Sequence, residues 1–278
     1  MSLKVVRYSA FTAEGRGGNP AGVVFDASDA SAEDMLRTAA EVGDSETAFI
    51  VAEPAPGHLS VRYFSPQREV DFCGHATIAT AIAWAEKAGA QDLVFDTAAG
   101  EIPIEVEASP DGLRATLTSV PAHSEVADGG DIEEALACLG WRAEDLDPLL
   151  PVRVAFGGVH HLVLAAATRA RLAGLDYDFD RLRDLMTRRR WITLQLIWRE
   201  HDELFHARNP FPVGGVVEDP ATGAAAAAFG GYLRDVVGAE AAGRFRIRQG
   251  EDMGSPSDLW VDASAARIRV SGTGRRLG

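Results

Sequence analysis

A repeat with a fixed offset of 146 residues constrains the fold of this 278-residue chain more than any other feature. It consists of paired motifs: Arg62-Tyr-Phe-Ser-Pro66 and Cys73-Gly-His-Ala-Thr77 return as Arg208-Asn-Pro-Phe-Pro212 and Asp219-Pro-Ala-Thr-Gly223. Each copy leads into an alanine-rich helical pattern, over Ile78–Lys87 in the first half and Ala224–Arg234 in the second. We therefore expect two similar lobes that face each other, each aiming a helix N-terminus, which favours anions, at a shared cleft.

The two halves also share an α+β pattern. Short runs of β-branched and aromatic residues, bounded by Gly, Pro and Asp, alternate with helical patterns. The length allows two lobes of about 120 to 150 residues, each with its own core. We expect an N-terminal lobe over residues 1–120 and a C-terminal lobe over residues 121–266, joined near Pro121–Gly130. The last strand, about 267–278, is expected to return to the first lobe.

The two motif helices are almost uncharged around their whole circumference, over Ala76–Ala85 and Ala224–Leu233. A helix that is apolar on every side is buried on every side. Small side chains also let strands approach closely, so each helix is expected to run through the middle of a curved, barrel-like sheet. The simpler alternative for Ala224–Ala228 is a tract that merely forms helix well.

Composition restricts the partners. The chain is 46% hydrophobic and 24% charged, which is ordinary for a soluble globular protein. Its net charge of −14 disfavours a nucleic-acid or anionic-membrane partner, but a helix N-terminus still attracts a small anionic metabolite. No apolar run reaches the roughly 18 to 20 residues that span a bilayer, and no signal-peptide core is present. With only two cysteines, these features predict a cytoplasmic protein.

Glu46 is the first candidate for catalysis, because it lies between the stop of a predicted helix at Gly43 and the strand Thr47–Ala52. A carboxylate in this position is either a surface residue or a group that points into the cleft. In a cleft, desolvation raises a carboxyl pKa towards the range that suits proton transfer. Such a carboxylate can take a proton from one carbon and return it to another.

His75 and Cys73 are candidates at the start of the first motif helix. The imidazole of His75 is a general acid, a hydrogen-bond donor to substrate, or only a helix cap. Cys73 is a candidate thiolate base activated by the helix N-terminus. A two-thiol racemase would need a second cysteine at the position that the repeat gives to Asp219, and Cys138 falls in an amphipathic core pattern, so the sequence does not favour that mechanism.

Asp219 precedes Pro220 at the start of the second motif helix, where it is either a helix cap or a ligand-facing carboxylate. Backbone N–H groups of the two helix starts are expected to bind a carboxylate of the substrate. The residues assigned to substrate binding are Asn19, Cys73, Gly74, Thr222, Gly223 and Ala224. Asn19 is included because it is the side chain of the turn Arg16–Gly22 that can reach the cleft.

The sequence shows no cofactor signature. The Gly-rich turn Arg16–Gly22 lacks the Lys-Ser/Thr of a phosphate loop, and no G-x-G-x-x-G occurs. His160 and His161 are adjacent in a strand pattern and point to opposite faces, and no Cys/His quartet is present. We therefore predict chemistry without a cofactor and no metal site.

At these motifs the chain resembles the PhzF (phenazine biosynthesis-like) family, which is part of the diaminopimelate epimerase fold group. The stretches that carry the resemblance are Val5–Phe11, Gly18–Gly22, Ser45–Phe49, Phe72–Thr77, Val217–Gly223 and the closing Val270–Gly274. The resemblance implies two lobes, each a β-barrel-like sheet around a central helix, and a homodimer. It also implies that Glu46 is the acid/base residue and that His75 and Asp219 contact substrate.

In the phenazine enzyme of this family, trans-2,3-dihydro-3-hydroxyanthranilate is isomerised by moving a proton along a ring carbon skeleton. That enzyme has Ser directly after the Thr-Gly of the second motif, whereas this chain has Ala224. The leading hypothesis is a cofactor-independent isomerase of this type. The alternatives are an amino-acid epimerase in which Cys73 acts with Glu46 or Asp219, and a non-catalytic protein that binds a metabolite.

Overall fold

The last strand of the chain pairs with the first. The computed structural model describes residues 3–278. Contacts divide them into one unit of the described residues up to Thr118 together with Ser271–Gly278, and another of Ser119–Val270. Both units mix helices and strands, which confirms the predicted α+β class.

The elements of the first unit are eight strands and two helices among the described residues. They are β1 (Val5–Ala10), β2 (Asn19–Val24), α1 (Ala32–Val42), β3 (Thr47–Ala55), β4 (His58–Phe64), β5 (Glu69–Val70), α2 (Gly74–Ala88), β6 (Leu93–Thr97), β7 (Gly100–Ser109) and β8 (Gly112–Pro121). The closing strand, Arg267–Leu277, also belongs to this sheet and pairs with β1 and β8.

These strands form a closed eight-stranded barrel. Its order is β1, β2, β3, β4, β6, β7, β8 and the closing strand, which returns to β1. The pairs β2–β3 and β4–β6 are parallel, and the other pairs with a defined register are antiparallel. A closed barrel leaves no sheet edge among its own strands.

Helix α2 fills this barrel. Every residue from His75 to Ala85 is buried, which confirms the expectation of a helix apolar on all sides inside a curved sheet. Small residues allow the approach: a Cβ on Gly274 would lie 2.8 Å from Ile82 of α2. Outside the barrel, Met35 and Ala39 of α1 pack with Phe49 and Phe64.

The second unit contains the remaining elements. They are β9 (His123–Val126), α3 (Gly129–Leu139), β10 (Arg153–Phe156), β11 (His160–Ala165), α4 (Arg169–Ala173), α5 (Phe179–Arg189), β12 (Trp191–His201), β13 (Leu204–Pro210), β14 (Glu218–Asp219), α6 (Gly223–Val237), α7 (Ala239–Ala242), β15 (Arg244–Gln249) and β16 (Ser257–Asp262). The closing strand of the barrel is β17 (Arg267–Leu277), whose residues from Ser271 onward belong to the first unit.

A sheet in the order β9, β10, β11, β12, β13, β15, β16 surrounds α6. All residues of α6 from Ala225 to Leu233 are buried. The turn between β10 and β11 passes so close that a Cβ on Gly157 would lie 2.5 Å from the Ala228 amide nitrogen. On the other side of the sheet, α3 and α5 cover a core that includes Leu139, Leu185 and Trp191.

Some boundaries differ from the sequence prediction. The motif helices run over Gly74–Ala88 and Gly223–Val237, so both are longer than the helical patterns Ile78–Lys87 and Ala224–Arg234 that indicated them. Strand β9 lies within Pro121–Gly130 and pairs with β10. Within residues 3–278, no helix is both long enough and apolar enough to cross a membrane.

Candidate active site

The first part of the candidate site is the N-terminal turn of α2. Cys73 is extended, with φ −144° and ψ 115°, and the helix starts at Gly74. The first turn carries no acidic side chain. The free amides at this helix end carry the positive end of the helix dipole, which faces the side chain of Cys73 and the preceding strand ends.

Glu46 reaches this turn from the mouth of β3. Helix α1 ends at Val42 and is capped by Gly43, which adopts a left-handed conformation with φ 73°. The segment that follows is held by Asp44, whose carboxylate accepts a hydrogen bond of 2.9 Å from Arg7 Nε, and this contact raises the pKa of Arg7. The carbonyl of Glu46 accepts a hydrogen bond from the Gly22 amide at 3.2 Å. These contacts hold the backbone on both sides of the Glu46 side chain.

Glu46, Cys73 and His75 come together. The Oε2 atom of Glu46 lies 3.4 Å from Cys73 Sγ and 3.5 Å from His75 Nε2. Cys73 Sγ lies 3.3 Å from His75 Nδ1. Only 16% of the Glu46 side chain and 7% of the His75 side chain are exposed, so a carboxylate, a thiol and an imidazole share a site that is largely shielded from water.

Ser45 adds a fourth polar group, since its Oγ atom lies 3.2 Å from His75 Nε2. A second layer lies beneath the turn: the Tyr63 hydroxyl bonds Thr77 Oγ1 at 2.7 Å, and Thr77 Oγ1 donates to the Cys73 carbonyl at 2.7 Å. Tyr63 is fully buried, and burial raises its pKa, so this hydroxyl stays protonated. The chain from Tyr63 to Cys73 holds the turn in place.

The second unit holds Asp219 at the start of α6. Strand β14, which contains Asp219, pairs antiparallel with Asn209 and Pro210 of β13. Thr222 Oγ1 donates to Asp219 Oδ2 at 2.5 Å, and both residues precede Gly223, where α6 starts. Asp219 is 7% exposed. Its carboxylate is therefore oriented by the segment that leads into the helix, Asp219–Thr222.

Gln249, the last residue of β15, ties this segment to the sheet. Its Nε2 atom donates to the Asp219 carbonyl at 2.7 Å and to Thr222 Oγ1 at 3.0 Å, and its Oε1 atom accepts from the Thr222 amide at 3.2 Å. Gln249 is 1% exposed. Sequence reasoning missed this residue, because a glutamine at the end of a strand does not indicate which backbone groups it will bond after folding.

The repeated arginines each pair with a glutamate. Arg62 bonds Glu69 at 2.7 Å near the surface, whereas Arg208 and Glu218 pair almost completely buried. Burial lowers the pKa of Arg208, but its hydrogen bonds with Glu218 raise it more, so the net shift is upward. The sequence did not lead us to predict these two glutamates as partners of the arginines. The feature that could have indicated the pairs is the repeat of the arginine itself.

The other sequence-predicted site residues lie where the elements place them. Gly74 opens α2, and Gly223 and Ala224 open α6. Asn19 is 2% exposed at the start of β2, where it pairs with Ala10 of β1. Within residues 3–278, Glu46, Cys73 and His75 are the group of three or more potential metal-ligand side chains whose ligand atoms lie within 4.8 Å of one another.

Comparison with known proteins places this geometry in context. A family profile described as "Phenazine biosynthesis-like protein" matches residues 8–276. A protein of Deinococcus radiodurans named an uncharacterized isomerase is 33% identical over 275 residues, covering 94% of this chain and 87% of its own length. The trans-2,3-dihydro-3-hydroxyanthranilate isomerase of Pseudomonas chlororaphis is 31% identical over 268 residues, covering 94% of this chain and 92% of its own length.

A solved structure shows the same fold. The PhzF-family phenazine biosynthesis protein of Bacillus anthracis superposes with a TM-score of 0.88 at 24% sequence identity, covering 100% of this chain and 98% of that chain. This likeness confirms the fold expected from the motifs.

Proposed function

The chain belongs to the phenazine biosynthesis-like (PhzF) family and is an isomerase of that family, and we propose that Glu46 is its acid/base residue. In this proposal the enzyme moves a proton between carbons of a small carboxylate-bearing substrate, a cyclic amino or hydroxy acid. The reaction is redox-neutral, since one C–H bond breaks and another forms, and the carboxyl proton of Glu46 exchanges with solvent between the two steps, so the chemistry calls for no cofactor.

The observation that carries the proposal is the meeting of Glu46, His75 and Cys73 at the N-terminus of α2. A carboxylate that is 16% exposed keeps access to a substrate and is still largely removed from water. The His75 imidazole, 3.5 Å from Glu46 Oε2, can orient the carboxylate or hydrogen-bond a substrate heteroatom. The amides of the α2 N-terminus suit a carboxylate of the substrate.

In the proposed step, Glu46 removes a proton from a carbon next to an electron-withdrawing group. The C–H electron pair passes into the conjugated system, and the protonated Glu46 then delivers the proton to another carbon of that system. Asp219 remains a predicted contact for an amino or hydroxyl group of the substrate. It is tested separately by Asp219→Asn, which should raise KM more than it lowers kcat if the carboxylate mainly binds.

The first substrate to test is trans-2,3-dihydro-3-hydroxyanthranilate, which the Pseudomonas chlororaphis relative is named for. Ala224 in the first turn of α6 supplies a backbone N–H but no hydroxyl. We therefore expect a wider panel of cyclic amino and hydroxy acids to be needed to find the best substrate.

The decisive experiment follows each candidate by NMR in heavy water, where turnover introduces deuterium at carbon. Glu46→Gln should lower the rate by about 10²- to 10⁴-fold, the usual contribution of a positioned acid/base group. Glu107→Gln is the matched control, because Glu107 is an exposed residue of β7 and its loss should change nothing. Full activity of Glu46→Gln would refute the assignment. Ligand binding without exchange in wild type would instead favour a metabolite-binding protein.

A second candidate is an amino-acid epimerase that uses Cys73. The observation in its favour is the position of the thiol, 3.4 Å from Glu46 Oε2 and 3.3 Å from His75 Nδ1 at a helix N-terminus. Alkylation of the thiol discriminates between the two, with Cys73→Ser measured alongside. An inactive Cys73→Ser variant together with loss of wild-type turnover on alkylation favours the epimerase, whereas turnover that survives in Cys73→Ser favours Glu46 acting alone.

A further inference from the structure

We propose that Glu46, Cys73 and His75 form a binding site for a divalent cation that prefers thiolate and imidazole ligands, with Zn²⁺ as the best fit. The same side chains make up the proposed acid/base site, so bound Zn²⁺ excludes substrate and inhibits the enzyme. Only the inhibition rests on the proposed function, since ion binding depends on the three side chains alone.

The ligand types match zinc. Zn²⁺ binds thiolate, imidazole and carboxylate, and a site with three protein ligands leaves a fourth position open to water. Glu46, Cys73 and His75 supply one ligand of each type. They come from the mouth of β3 and the start of α2, 27 residues apart in sequence.

The distances between the three ligand atoms are close to those of a zinc site. Tetrahedral zinc with ordinary bond lengths places its ligand atoms about 3.4 to 3.6 Å apart. Here Cys73 Sγ and Glu46 Oε2 lie 3.4 Å apart, Glu46 Oε2 and His75 Nε2 3.5 Å, and Cys73 Sγ and His75 Nε2 3.9 Å. Cys73 Sγ lies closer to His75 Nδ1, at 3.3 Å, than to Nε2, so the imidazole must rotate before Nε2 points at an ion held by Cys73 and Glu46.

Charge favours the same conclusion. With the Cys73 thiol ionised, the site carries a thiolate and a carboxylate, which together balance the two positive charges of the ion. The N-terminus of α2 disfavours a cation by itself, so the ion depends on these two anionic ligands. Ser45 Oγ, 3.2 Å from His75 Nε2, would exchange its hydrogen bond to the ring for one to zinc-bound water.

Two measurements test the site in the full-length protein. Isothermal titration with ZnCl₂ in a non-chelating buffer should show one ion per chain. Titration with Co²⁺ should produce a thiolate-to-cobalt charge-transfer band in the near ultraviolet together with the strong visible bands of a tetrahedral ion. The absorption reports a cysteine ligand directly and does not depend on activity.

Variants locate the ion. Cys73→Ser, which keeps a small polar residue before the helix, should lose the charge-transfer band and lower Zn²⁺ affinity by at least about 10- to 100-fold, the cost of losing even an outer-shell partner. His75→Ala should weaken binding to a similar degree. Cys138→Ala is the matched control, because Cys138 lies in α3 and is buried in the core of the second unit, so its replacement should leave the titration unchanged. Circular dichroism before titration shows whether each variant is folded.

The outcomes distinguish a failure of the zinc site from a failure of the proposed enzymatic function. Unchanged zinc affinity in Cys73→Ser, or a wild-type cobalt spectrum without the thiolate band, overturns the site. Turnover that is insensitive to saturating zinc overturns the overlap with the acid/base residues. Zinc binding as described in a protein that exchanges no substrate proton supports the site and counts against the proposed isomerase mechanism.

Discussion

Replacing Gln249 by Leu should destabilise the second unit strongly, because this one buried side chain holds the segment that leads into α6. Leu fills a similar volume but can make none of the three hydrogen bonds of Gln249. The change leaves the Asp219 carbonyl and the Thr222 amide without the partner that the glutamine supplies. Because Gln249 is 1% exposed, water cannot easily replace it.

The expected change in the free energy of unfolding follows from the polar groups that lose a hydrogen-bond partner. An unsatisfied buried polar group costs about 1 to 3 kcal/mol. Asp219 is buried, so its carbonyl bears a cost near the middle of that range, whereas Thr222 is half-buried and its amide bears less. The expected loss is about 3 kcal/mol in the free energy of unfolding, which corresponds to a fall of about 6 to 12 °C in Tm for a unit of this size.

Thermal unfolding followed by circular dichroism measures this change. Hydrogen exchange then localises it, because the amide of Ala226, bonded to the Thr222 carbonyl in the first turn of α6, should lose protection first. Gln91→Leu is the control, since Gln91 is exposed and its replacement should change stability by no more than about 0.5 kcal/mol. A Gln249→Leu protein that melts within about 2 °C of wild type would refute the reasoning, because the cost per unsatisfied group would then be absent.

Two further predictions concern the second unit. Burial lowers the pKa of His206, but hydrogen bonds to Glu251 and Glu200 raise it more, so its net pKa lies above the ordinary value of 6.5. The resulting stabilisation is fully present below the unfolded pKa and is lost as pH rises through the folded pKa. His206→Gln should therefore cost more at about pH 5.5 than at about pH 9 in urea unfolding, and equal costs would contradict the pairing. Gly157→Ala should lower the free energy of unfolding by about 1 to 3 kcal/mol, because the new Cβ meets the backbone of α6. Gly129→Ala is the control, since the space around Gly129 is open and its replacement should be near neutral. Similar melting temperatures for the two variants would count against close packing on α6.

Much of the fold could be predicted because it depends on patterns within short stretches of sequence. An apolar surface around the whole helix can only be satisfied by burial, and this predicted the positions of α2 and α6. The repeat did not indicate that α6 starts three residues later in its copy than α2 does, because Gly74 corresponds to Pro220 and not to Gly223. Strand β9 was likewise hidden in a polar segment whose pairing with β10 depends on tertiary contacts.

The candidate site was predictable in its residue types but not in its geometry. Motif chemistry named Glu46, Cys73 and His75, yet no spacing rule shows that residues 27 positions apart approach within 3.4 Å. The residues that hold the motifs, Tyr63 and Gln249, escaped prediction altogether. Their function depends on which backbone carbonyl lies within reach after folding, and a sequence pattern carries no information about that.

The repeat explains why the two motifs need different supports. In the first unit Thr77 donates to the carbonyl of Cys73, and the position 146 residues later is Gly223, which has no hydroxyl. The corresponding carbonyl, that of Asp219, is bonded instead by Gln249 from β15. A buried carbonyl requires a partner, so the loss of one donor was met by another from a different strand. The two copies therefore differ in backbone as well as in side chain: Cys73 directly precedes α2, whereas Asp219 lies in β14, four residues before the start of α6. This is the reason to expect Gln249→Leu, and not a change at Gly223, to release Asp219.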